Sequence, residues 1–136
     1  MRTIQRLGPV LPVLATFLVV PLILATPAAG QSKVRIVQTN SAGDNVHIID
    51  PATNTVVGEI IGIERAHGAA PSPDGRSIYV ANESDDTVDV VDVSMLKVTK
   101  KIPLSGRPNN IAITPDGRKV YVAIARAHGV ERLSLY

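Results

Sequence analysis

Cysteine and tryptophan are absent from these 136 residues, and the one phenylalanine, Phe17, falls in the first thirty. Without cysteine there can be no disulfide staple, no c-type haem attachment motif and no thiolate metal site. Helical periodicity is missing as well, since nothing beyond residue 30 keeps it for more than a turn. Apolar burial and strand pairing are left to hold the chain together. A block of like charge is also lacking. Lys and Arg number 14 against 12 Asp and Glu, and Arg2 and Arg6 are the only charges in the first thirty residues, so 12 bases face 12 acids afterwards. A neutral chain without Phe or Trp beyond residue 30 has neither the basic footprint nor the stacking platform of a nucleic-acid binder, and that class is set aside.

The first thirty residues have the layout of a secretory signal peptide. Arg2 and Arg6 open it, Val10 to Ala25 is an apolar run, and Ala28, Ala29 and Gly30 precede Gln31. The run is short and carries Pro12 and Pro21, whereas a membrane span wants about 20 apolar residues. Cleavage is therefore expected over an uncleaved anchor. The product would be periplasmic, extracellular or at the cell surface, with no stable membrane span. The stretch from Gln31 to Tyr136 suffices for one small core.

What that stretch does contain is a repeat. "SPDGRSIYVAN" at Ser72 to Asn82 returns as "TPDGRKVYVAI" at Thr114 to Ile124, an offset of 42. At the same offset "HIIDPATNTVVGEI" (His47 to Ile60) aligns with "DVVDVSMLKVTKKI" (Asp89 to Ile102), and "VQTN" (Val37 to Asn40) with "YVAN" (Tyr79 to Asn82). Within each unit apolar residues alternate with polar ones and turn residues bound the runs, which is strand periodicity. The central unit reads as strand a over 68–72, b over 77–82, c over 87–93 and d over 97–104. Pro-Asp-Gly between a and b is turn chemistry: proline presets φ, aspartate bonds the backbone and glycine accepts positive φ. Four short antiparallel strands in every such unit make the blade of a β-propeller, so the predicted fold class is all-β, with blade repeats at about 34–66, 67–108 and 109–136.

"IYVAN", "TVDVVD", "TNTVV" and the two "PDGR" turns also resemble the YVTN-type β-propeller repeat family over nearly all of residues 34–136. The resemblance implies an exported or surface-associated propeller, akin to lactonase-type and haem- or copper-bearing propeller domains. Two departures stand out. Pro71 occupies strand a where Ile113 stands in the next unit, and "ARAHG" at Ala125 to Gly129 replaces an Asn/Asp-rich loop. The ring is incomplete as well. Strands b, c, d, then a to d, then a, b, c make about two and a half blades, whereas closed propellers have about four to eight. Joining two copies end to end leaves the junction without a d and an a strand, which favours a fragment of a longer propeller. Further blades or oligomerisation are expected to be needed for closure.

Alternation of strand direction puts the d–a and b–c connections on one rim. His67 and Asn109 are equivalent d–a positions; Asp85 and Asp86, like Asp44 and Asn45, belong to b–c loops, as does His128. These residues form the candidate ligand-binding rim: imidazole suits a metal, a cofactor or an anion near neutral pH. A local backbone bond is the plainer role for His67, and more so for His128. Asp50 and Asp92 recur at strand ends, which points to turn capping, and Tyr79 and Tyr121 to packing between blades. The Asp85–Asp86 pair is short of the six or more oxygens that calcium wants. No nucleophile elbow, paired-histidine metal motif or phosphate loop is present, so no catalytic residue, metal or cofactor is assigned. The expected role is a binding or scaffold module for a protein or small molecule. The alternative is a piece of a lactonase-like or cofactor-binding oxidoreductase propeller, in which bound haem or quinone stays open.

Overall fold

The structure, a computed structural model, describes residues 34–125 and 129–135. The leader expected at 1–30 lies outside them, and so does His128. Ten strands follow one another: β1 (Ile36–Thr39), β2 (Asn45–Asp50), β3 (Thr55–Ile61), β4 (Ala66–Pro71), β5 (Ser77–Asn82), β6 (Thr87–Asp92), β7 (Lys97–Pro103), β8 (Pro108–Ile113), β9 (Lys119–Ile124) and β10 (Gly129–Ser134). They make three antiparallel sheets, β1-β2-β3, β4-β5-β6-β7 and β8-β9-β10. This is an all-β partial propeller, with the b-c-d, a-b-c-d and a-b-c strands that the repeat implies.

The repeat extends to backbone detail. The ladder shifts register between Ile48 and Ile49 and again at the equivalent step of the next unit, between Val90 and Val91; Ala66/Ala69 and Pro108/Ile111 form a second such pair. Asn54 (φ 54°) and Leu96 (φ 52°) are the left-handed residues of equivalent c–d turns. Gly75 and Gly117, both at φ 70°, end the two Pro-Asp-Gly turns, where a Cβ would be strained. Asp74 and Asp116 accept from the N–H groups of Arg76 and Arg118, and Asp50 and Asp92 cap the c–d turns through Ala52 and through Ser94 and Met95. Pro71 is tolerated because β4 is the edge strand of its sheet, so the missing N–H costs no ladder bond on the open side.

Apolar side chains of alternate strand positions fill two layers. Val46, Ile48 and Ile60 meet Ile78, Val80 and Val91 between the first two sheets. Tyr79 and Val88 meet Val120, Val122 and Ile124 between the second and third. The middle sheet is thus apolar on both faces. At the inner edge β4 and β8 nearly touch: a Cβ on Gly68 would lie 2.6 Å from the Asn109 carbonyl oxygen and 2.9 Å from the Ile111 nitrogen. Only glycine allows two backbones to approach so closely.

Candidate functional site

The rim that carries the d–a and b–c connections is built by backbone bonds between them. Gly62 and Ile63 donate to the carbonyl of Asp44, and Leu104 donates to that of Asp86, the equivalent of Asp44 in the next unit. Arg65 donates to Gly43 and accepts from Glu83, while Arg107 accepts from Ala125. Arg65 is held at φ 51° just ahead of β4, and Arg107 stands at the equivalent place ahead of β8.

On this frame four side chains converge. His67, half-buried in the bulged start of β4, donates from Nε2 to Glu83 Oε2 at 2.5 Å. Arg65 Nη2 lies 3.4 Å and Arg107 Nη1 3.3 Å from the other oxygen, Oε1. The His67 bond, with help from the two guanidinium charges, holds the Glu83 carboxyl below its ordinary value, although burial opposes this. Two guanidiniums on one carboxylate leave the cluster positive even with His67 neutral, and each guanidinium has donors that Glu83 does not use.

Asp85 belongs to a second cluster. Its carboxylate accepts from Lys101 Nζ at 2.5 Å and from Asn82 Nδ2 at 3.1 Å. Asn82 also donates to Asp89, fully buried, whose other oxygen accepts from Thr87 Oγ1 at 2.6 Å. Lys101 is 3.6 Å from Asp89, and its pKa is raised, first by the bond to Asp85. Asp85 is therefore tied into the sheet rather than turned to the Glu83 cluster. Asp86 contributes its carbonyl and left-handed backbone. Asn109 is half-buried on β8, its backbone against Gly68. The same region of the first sheet carries another chemistry: Asn40 donates to Asn45, Asn45 to Glu59, and His47 lies 3.8 Å from Glu59.

Sequence reasoning named His67 as a candidate but not Glu83, Arg65 or Arg107, which the structure places beside it. The arginines left a signal, because they occupy the same position in successive units. Glu83 left none, since Ser41 and Ala125 stand at its equivalents. Among the described residues no group of His, Asp and Glu could hold a metal ion. The opposite rim has a cavity of about 260 Å³ lined by Asp74, Asp116, Ser72, Ser77 and Tyr79. Both of its carboxylates are already bound within their own turns, to Ser72 and Thr114, which lowers their pKa values.

A family model for YNCE-like β-propellers matches residues 5–132. It is a β-propeller match without being specific to the YVTN repeat. Among solved structures the chain is similar to Kuenenia stuttgartiensis hydrazine synthase, with 30% identity and a TM-score of 0.69 over 74% of this chain and 29% of that one. It is also similar to dihydro-heme d1 dehydrogenase NirN in complex with DHE, with 28% identity and a TM-score of 0.61 over 74% of this chain and 22% of that one. A functionally unknown protein from Desulfotomaculum acetoxidans shares the fold at 20% identity and a TM-score of 0.65, over 76% of this chain and 35% of that one. The chain thus spans less than a third of the first two structures. Among curated proteins none matches it.

Proposed function

The chain belongs to the YNCE-like β-propeller family, and from that premise we propose that it is an exported binding module whose ligand face is the rim bearing Arg65, His67, Glu83 and Arg107. The observation that carries this reading is the convergence of two guanidiniums and an imidazole on one carboxylate. Such a cluster favours a small anion, a carboxylate or a phosphate, that takes up the unused guanidinium donors. The basic start and apolar run within residues 1–25 support export, to the periplasm or the cell surface. YVTN-type repeats remain the finer description of the units.

Amide shifts of the folded chain titrated with citrate and with pyrophosphate test the reading. Saturable changes at Arg65, His67, Glu83 and Arg107 are expected, with at least a tenfold loss of affinity in Arg107→Ala, its β-sheet circular dichroism unchanged. Absence of shifts with both anions overturns it. The similarity to hydrazine synthase and to NirN with its DHE supports a second reading, a piece of a cofactor-bearing oxidoreductase propeller. Haem added to the chain would then give a saturable Soret shift; an unchanged spectrum removes that reading.

A further inference from the structure

Each end sheet leaves one face uncovered among the described residues. On the third sheet Tyr121 is 39% and Val130 65% exposed, whereas Tyr79 and Val88, at the same positions of the middle sheet, are 9% and 0% exposed. On the first sheet Ile36 is 49% exposed, against 5% for its equivalent Ile78. The two open faces are the two halves of one contact. Within the chain, the face holding Tyr79 and Val88 meets the face holding Val120 and Val122. Ile36 and Gln38 are the first sheet's versions of Val120 and Val122.

We propose that a second copy of this chain covers both faces. The third sheet of each copy stacks on the first sheet of the other, and two copies close a ring of six sheets. A head-to-tail contact closes when its rotation completes a circle, and six blades lie within the usual range of about four to eight, whereas the nine of a trimer do not. Closure of this kind is independent of any anion held at the rim.

Polar substitution on the two faces is matched. Arg132 replaces an apolar residue, standing where Ile48 and Val90 stand in the other sheets. Gln38 replaces another, where Val80 and Val122 stand. Ile48 and Val80 share one apolar cluster and Val90 and Val122 the other. Stacking of two copies therefore brings Arg132 of each to Gln38 of its partner, in the place where the internal contacts pair two apolar side chains. Strand counting alone argues against such a join, because the junction lacks a d and an a strand. Yet Tyr121, Val130, Arg132, Ile36 and Gln38 all stand on b and c strands, which both end sheets possess. It is the faces that make the contact, and the absent strands are neighbours at the edges.

Light scattering of the full chain over a wide concentration range tests the proposal. A discrete species of twice the chain mass is expected; a chain-mass species throughout, or a mass that grows without limit, overturns it. Val130→Asp should give the monomer with its β signal intact. Two polar positions on the open faces give a test that leaves the core alone. Gln38→Arg puts two guanidiniums together at each contact and should weaken the dimer at least tenfold. Adding Arg132→Glu should restore it. An unchanged dimer in Gln38→Arg, or no restoration in the double variant, sinks the contact.

Discussion

Glu83 shows how much one residue concentrates. His67 and two arginines depress its pKa, so its contribution to stability is full above the ordinary glutamate value of 4.5 and is lost as pH falls through the lowered one. Asp74, Asp92 and Asp116, lowered chiefly by bonds from Ser72, Ser94 and Thr114, act with the same sign. Denaturation midpoints should be flat near neutrality and decline in acid, with a shallower decline in Glu83→Gln. Gly68 makes a sharper prediction, because the clashing atoms are backbone. Gly68→Ala should cost about 1–3 kcal/mol in urea unfolding. Gly58→Ala should cost less, since its 2.6 Å neighbour is the movable end of Leu96. Removing buried Asp89 takes the acceptor from Thr87 Oγ1 and one of two carboxylate acceptors from Asn82 Nδ2, so Asp89→Ala should cost about 1–3 kcal/mol, against under about 1 kcal/mol for half-exposed Asp85→Ala. Legibility at this scale followed the repeat. Asp50 and Asp92 announced their turn-capping role by recurring, whereas Glu83, unmatched in the units on either side, could be found only once the loops were folded together.

Strands were the most legible elements. Strand b of the central unit is the predicted 77–82, and c and d end one residue earlier than expected. Strand a differs more: it begins at Ala66 rather than Gly68, because a bulge between Ala66 and Ala69 carries the pairing across His67 and Gly68. The recurring bulges went unread because each inverts the alternation within a single short strand: Val98 and Ile102, four residues apart, face opposite apolar layers, which strict alternation would put on one face. Ladder position also ranks the strands. β5 and β6 are paired on both sides and packed on both faces, while β1 and β10 are paired on one side only. Amide hydrogen exchange should therefore be slowest in β5 and β6 and fastest in β1 and β10. Equal protection across all ten strands would contradict this ordering.

At the scale of the molecule, three sheets share two apolar layers among the described residues. The number of sheets and their order were readable from the constant offset between repeats; the uncovered faces were not, because an apolar position looks the same whether or not a neighbour lies over it. Near-identical units also carry a risk, for a c strand could pair with the d strand of the wrong unit and trap the chain. The paired residues at the centre of each hairpin oppose this. Asp89 lies across from Lys101, but His47 lies across from Glu59, so the acid changes strands from one unit to the next. A mistaken partnership sets Asp89 against Glu59 and His47 against Lys101, and a carboxylate with no counter-charge must then be buried. The polarity reversal is expected to act as a key that favours the native partner during folding. Glu59→Lys removes the key. Native stability should change by less than about 1 kcal/mol, since Glu59 is half-exposed, while the yield of native protein on rapid dilution from urea should fall.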